Sequence, residues 1–298
     1  MQQFFALEQV TRRAPLGMRF LDIVRGVNLT DGLLVTAWPV GAGMMTARQA
    51  AYRSPLSGIY GFRSLPGLES FERGQRPATD WCASPPDVGQ PTVSDLASLG
   101  TLQTLINADE GVSAANFIVY VQDSMERFLP QVLLMCLPKE KLIEVPLFSA
   151  PSRIGPAGFG AVRGEVWVLQ DSLPASWAMI TASLDAVTTY VTIADARGMF
   201  TLFVPYASAL PALTGSPPHG SGTIDQLTWA LTIQVFHQVL PDVPGAGLPD
   251  IRSILGQTQA KIYDSSLTTS VASLTRSIRF GQDVVVATSG QSRVYIAL

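Results

Sequence analysis

Short apolar runs interrupted by turn residues dominate this chain. Residues 19–25 (RFLDIVR), 33–38 (LLVTAW), 117–121 (FIVYV) and 132–137 (VLLMCL) are β-branched or aromatic and bounded by Gly, Pro or Asp. The same holds for 161–169, 179–184, 190–194, 199–204, 229–236, 284–287 and 293–297. Several alternate cleanly. Met199, Thr201 and Phe203 fall on one side of a strand, and Phe200, Leu202 and Val204 on the other. Many short strands with turn signals every 8–12 residues or so predict a β-sandwich or barrel. Helical spacing is scarce. One stretch, 249–263, sets Ile251, Ile254, Leu255 and Ile262 on a stripe behind Pro249 and Asp250. A weaker one, 95–106, carries Leu96, Leu99, Leu102 and Ile106 after Ser94. The expected class is all-β with one or two accessory helices.

A faint internal repeat divides the chain. Residues 21–37 match 167–182 as strand, polar turn and strand, and 117–130 match 229–241 as a strand running into Leu-Pro. Two tandem sandwiches account for this better than one long sheet. The first is expected over 1–147, with a long insert at 69–116 of the kind that serves a function or reaches a neighbour. Residues 148–160 (FSAPSRIGPAGFG) read as the linker, 161–248 as the second sandwich, and 249–298 as a helix followed by strands. In that tail, Asp283–Ala287 and Arg293–Leu298 are expected to form a hairpin around Gly290. The final strand must pair to be ordered. It closes one of the chain's own sheets or adds to a neighbour's edge.

Length and charge narrow the function. At 298 residues the chain suits about two domains and can bury a core unaided. Charged residues make up only 14%, the net charge is −3, and only Lys139, Lys141 and Lys261 among the 20 basic residues are lysine. No basic field is present to attract nucleic acid or an anionic membrane. The arginine bias suits desolvated contacts between subunits, although base composition also produces such a bias. No run approaches a membrane span, and the first residues lack the pattern of a signal peptide. Cys82 and Cys136 cannot make a disulfide framework and read as two free thiols in a chain made in the cytoplasm, with later release by lysis left open.

Candidate chemistry is thin. His219 sits in a Pro/Gly loop and His237 ends a strand, neither with a partner at metal-ligand spacing. Ser221 lacks the strand and helix of a nucleophile elbow, and Gly41 and Gly43 do not extend into a phosphate-binding loop. The acidic pairs Asp109/Glu110, Asp123/Glu126 and Glu69/Glu72 read as loop acids rather than a glycosidase pair. Asp22 or Asp31 is left as a candidate calcium ligand. No catalytic residue, cofactor or metal site is therefore expected. Trp38, Tyr60, Phe62 and Trp81 cluster near Gly/Pro turns. They read first as core, then as anchors for a partner subunit, then as a sugar platform. Val294, Tyr295, Ile296 and Leu298 join them as candidate interface residues on the final strand.

The stretch 194–205 (ADARGMFTLFVP) is distinctive. Asp195 can bond the turn backbone, Gly198 supplies a positive φ, and Phe200 starts the next strand with its ring inward. With Gly164-Glu165-Val166 and Pro174-Ala175 before it, this resembles the carboxypeptidase-regulatory-like, transthyretin-type repeat. The resemblance covers about 160–206, roughly a sixth of the chain. It implies a seven-stranded Ig-like sandwich that binds or builds and carries no catalytic residues. In the first half Ser57-Gly58-Ile59-Tyr60 takes the turn position without the Asp-x-x-Gly spacing. More loosely, G32-LLVTAWP, S57-GIYGFRSLPGLE, D123-SMERFLP, F148-SAPSR and R279-FGQDVVV are similar to accessory proteins of phage-tail-like contractile injection systems. That resemblance implies a structural subunit at the cap or terminal end of the particle, or else in the baseplate.

Two expectations follow. The first is a non-enzymatic subunit of a large homo- or hetero-oligomeric assembly, binding neighbours through its insert and last strand. On that reading, deleting 291–298 abolishes incorporation and leaves both sandwiches folded. The second is a stand-alone β-sandwich that binds a glycan or peptide through Trp38 or Trp81.

Overall fold

The computed structural model describes residues 12–42, 48–82, 115–184, 188–206 and 228–298. It is all-β, built as two sandwiches. In the first, β1 (Gly17–Asp22), β2 (Val27–Leu29), β5 (Tyr52–Arg53), β6 (Tyr60–Gly61) and β9 (Ile143–Leu147) form one sheet, ordered β2-β1-β6-β5 with β9 parallel to β1. The facing sheet runs β4-β3-β7-β8, from β3 (Leu33–Pro39), β4 (Gln49–Ala50), β7 (Phe117–Asp123) and β8 (Gln131–Met135). Alternation decides which side chains meet between them. Met18 and Phe20 come from one sheet, Val35, Ala37, Val119 and Val121 from the other, all nearly inaccessible.

Beyond β6 the chain crosses this core as α1 (Glu69–Glu72) and a 3₁₀ turn at Ala78–Asp80. Leu65, Leu68 and Phe71 are buried there. Glu72 accepts the Leu65 amide on Oε1 at 2.8 Å, and Glu69 accepts the Gly67 amide at 3.1 Å, so these acids hold turns. The helix expected over 95–106, and with it Asp109, Glu110, His219 and Ser221, lies outside the described residues.

The second sandwich uses β10 (Phe159–Val168), β11 (Leu173–Pro174), β12 (Met179–Ser183), β13 (Thr189–Ile193), β14 (Met199–Pro205) and β15 (Thr228–Phe236). Strands from the tail complete it: β16 (Lys261–Tyr263), β17 (Ser270–Val271), β18 (Leu274–Arg279), β19 (Val284–Val286) and β20 (Val294–Ala297). One sheet runs β11-β10-β20-β16-β17, with β14 and β19 also on β10. The other runs β13-β12-β15-β18. Leu231, Ile233 and Val235 of β15 meet Phe200, Leu202 and Val204 of β14 in one core. At the β13–β14 turn, Asp195 Oδ1 accepts the amides of Arg197 and Met199 at 2.8 and 2.9 Å. Gly198 has φ +79°, and a Cβ there would lie 2.4 Å from the Val166 carbonyl, so this turn has no room for a side chain.

Three tail expectations change. The helix is only α2 (Ile251–Leu255), ended by Gly256, because Ile262 belongs to β16 rather than to a helical stripe. The strands flanking Gly290 do not pair with each other. β19 and β20 both run parallel to β10, one after the other along its length. Residues 261–297 are therefore not an appendage to a sandwich ending at 248, because β19 and β20 pair with β10 in one sheet and β18 pairs with β15 in the other.

Candidate functional site

The densest polar constellation lies where the sandwiches join. Arg153, in the linker segment after β9, donates to Asp22 at the end of β1 through both guanidinium arms, at 3.1 and 2.5 Å. Its Nη1 also reaches Ser149 Oγ at 3.0 Å. The guanidinium stacks 4.6 Å from the Phe128 ring centroid of the first sandwich and 5.8 Å from Phe203 of the second. Asp22 and Arg153 are both almost wholly buried. A planar, always charged, bidentate donor suits this desolvated position, and lysine could not reproduce it. Asp22, weighed above as a calcium ligand, instead gives both oxygens to Arg153.

A second arginine continues the clamp. Arg163 on β10 donates to the Pro151 carbonyl at 2.8 Å and to Thr201 Oγ1 at 2.9 Å, and pairs with Asp283 at 3.2 Å. The linker is thereby tied to the second sandwich along the outer face of β14. In the first sandwich, Asp123 accepts from the Arg127 amide and guanidinium between 2.8 and 3.0 Å. Burial alone would raise the Asp123 pKa. The Arg127 bonds outweigh it and hold the carboxyl below its ordinary value. Arg127 in turn donates to the Asp31 carbonyl at 3.1 Å.

Apolar contact joins the halves as well. Met179, Val191 and Ile193 of the second sandwich, and Ile251, Ile254 and Leu255 of α2, belong to the first core. Asp250 caps α2 by accepting the Arg252 amide at 3.2 Å, and accepts the Leu134 amide of β8 at 2.8 Å. Burial pushes its pKa up. Just before it, Val243, Ala246 and Leu248 cover Trp38, Ile118 and Val132 on the outer face of the first sandwich. A cavity of about 10 Å³, room for roughly one water, lies at this junction. Gln131, Phe148, Trp177, Ile193, Pro249 and Ile254 are among the residues lining it. The Gln131 amide is buried, and neither its Nε2 nor its Oε1 has a hydrogen-bond partner. Trp177 adopts φ +62°, a conformation costly for a bulky residue. Gln257 holds it by donating to its carbonyl at 2.8 Å.

His237 adds a pH dependence to this joint. It is buried, its Nδ1 is without a partner, and burial lowers its pKa against the opposing effect of a hydrogen bond with Gln257. A histidine whose folded pKa is depressed gives its full stability above the unfolded value of about 6.5 and loses it progressively as pH falls from there through the lower folded value. Thermal unfolding measured at pH 8 and pH 5.5 will show a lower midpoint at the acid value. His237→Gln will flatten the difference.

The aromatic candidates prove to be largely core. Trp38 and Phe62 are fully buried, and Tyr60 nearly so with its ring edge-on to Phe20 at 5.2 Å. Trp81 is half-buried against Phe71. Val294 and Ile296 point into the second core, Tyr295 is half-buried, and Leu298 alone of that set is exposed. Trp38, Phe62, Val294 and Ile296 therefore cannot present a surface to a neighbour, and the two groups are not brought together. The free-thiol reading is also overturned. Cys82 and Cys136 are joined, with Cα atoms 5.9 Å apart, because the segment after α1 folds back onto the end of β8. With that bridge, the thiol argument for a cytoplasmic chain falls away.

Other features mark the two ends. Trp229 lies near the end of β15 away from Phe236, which packs on the first core, and eight residue steps of about 3.3 Å separate Thr228 from Phe236. There Tyr206 stacks on Phe280 at 4.6 Å and on Trp229 at 5.5 Å, all three half-exposed. Among the described residues no helix is long and apolar enough to cross a membrane. No family model and no curated protein sequence matches this chain. A solved streptococcal ancillary pilin aligns over 95% of this chain and 62% of its own length, at 9% identity and a TM-score of 0.21. The chain thus spans less than two thirds of that pilin, and a likeness at this score carries no argument.

Proposed function

We propose that the chain is a non-enzymatic structural subunit of a phage-tail-like contractile injection particle. Its place is the cap or terminal end or else the baseplate, where it binds neighbouring subunits. The observation that carries the structural part is the junction. The almost wholly buried Asp22–Arg153 pair, the Arg163 ties and the shared apolar core hold the two sandwiches as one body. A rigid two-sandwich spacer transmits position between neighbours, which a particle subunit requires. The kind of particle rests on the sequence resemblance of 32–39, 57–69, 123–130, 148–153 and 279–286. The subunit is made in the cytoplasm and leaves the cell within the assembled particle.

A stand-alone module for a glycan or peptide is the second reading, and the half-exposed Tyr206, Trp229 and Phe280 at one tip favour it. Gradient sedimentation of a native-source lysate separates the two. Co-migration of this chain with tail-shaped objects in the megadalton range is the expected result. Migration as a free monomer or dimer overturns the subunit reading in favour of the module.

A further inference from the structure

We propose that Cys82 and Cys136 form a redox latch, a thiol pair held together by the fold itself that closes on oxidation and hardens the first sandwich without reshaping it. Its timing, after release from a reducing compartment, rests on the function proposed above; its chemistry does not.

Each cysteine is placed by contacts that involve no sulfur. On one side, the buried Leu65, Leu68 and Phe71 hold the segment that leads to Cys82. The Glu72 carbonyl accepts the Arg13 amide at 3.0 Å, and the Cys82 amide donates to the Ala78 carbonyl at 3.1 Å. On the other side, Cys136 follows β8 between residues that Asn116 fixes. The Asn116 amide donates to the Met135 carbonyl at 3.1 Å. Its side chain exchanges two bonds of 2.8 Å with the backbone of Leu137. These contacts do not depend on oxidation, so the reduced chain brings the two thiols together as well.

Closure is a two-electron step. One thiolate attacks a small disulfide such as oxidised glutathione, forming a mixed disulfide and releasing one reduced thiol. The second protein thiolate displaces the other, so two protons and two electrons leave the cysteines and reduce the reagent. Both cysteines are buried, at 6% and 4% exposure, so exchange in either direction requires a local opening of the fold. The exchange is therefore slow, and a closed latch resists reduction. The bond spans 54 positions of sequence. Constraining a loop of that length in the unfolded chain raises the unfolding midpoint by roughly 10 °C.

The test uses the purified full chain, oxidised and after reduction, beside a Cys82→Ser/Cys136→Ser double variant. The reduced chain and the variant are expected to keep the native circular dichroism spectrum and a cooperative transition, roughly 10 °C lower. In the folded reduced chain the thiols will react with a chromogenic disulfide many-fold more slowly than in denaturant, and oxidised glutathione will restore the cross-link. An unfolded reduced chain, an unchanged midpoint, or thiols that react at the denatured rate would overturn the latch. None of these readouts needs the particle, so failure here is distinct from failure of the assembly reading.

Discussion

Replacing Arg153 by methionine will lower the unfolding free energy by about 3–5 kcal/mol, the usual cost of stranding one member of a buried ion pair. Asp22 is almost wholly buried beneath Arg153, and the exposed Arg25 guanidinium comes only to 4.0 Å from its second oxygen. The change also removes the cation from between Phe128 and Phe203, so it acts on both sandwiches at once. Denaturant titration will show a lower midpoint with an unchanged slope, the signature of lost stability rather than altered compactness. An Asp22→Leu/Arg153→Met double variant will recover much of the loss, because two apolar groups strand no charge. A single-variant loss under about 1 kcal/mol would mean that the pair behaves like a surface ion pair.

Deleting residues 291–298 will abolish the second sandwich instead of merely detaching a partner. β20 pairs with β10 on one side and β16 on the other, so its removal strips hydrogen bonds from both neighbours. Val294 and Ile296 are also lost from the core, at about 1.5–3 kcal/mol each. A gentler version, Ile296→Asp, places an unpaired charge among Val166, Val168 and Ile262 and will act in the same direction. Limited proteolysis will then cut within 159–290, and the first sandwich will lose protection with it, because Met179, Ile193, Ile251 and Ile254 belong to its core. A truncated chain that keeps both sandwiches would contradict this, and would return the last strand to the role of an exchangeable arm.

These two predictions also mark what could be read along the chain. Alternation in 199–204 and 229–236 placed the strands and their buried faces, because a period of two needs no tertiary information. The Asp195–Gly198 turn was legible for the same reason: a local bond and a positive φ are properties of four residues. Pairing partners were not legible. β19 and β20 look like a hairpin around Gly290, yet parallel pairing with β10 depends on an edge more than 100 residues away. The junction escaped for a related reason. Asp22 and Arg153 are 131 positions apart, and nothing local distinguishes a clamping carboxylate from a loop acid. Cys82 and Cys136 met because α1 and its flanking turns fold back across the core, which spacing alone does not encode. For Trp38, the covering segment 243–248 lies more than 200 positions further along the chain. A bulky aromatic near Gly and Pro carries no sign of whether chain or partner will cover it.

Scanning calorimetry of the intact chain tests most directly whether the two sandwiches are one mechanical body. The shared core of Met179, Ile193, Ile251 and Ile254, together with the Arg153 clamp, predicts a single cooperative transition whose calorimetric and van't Hoff enthalpies agree. Two separable transitions, one for each sandwich, would show that the junction does not couple them and would contradict the rigid-spacer account.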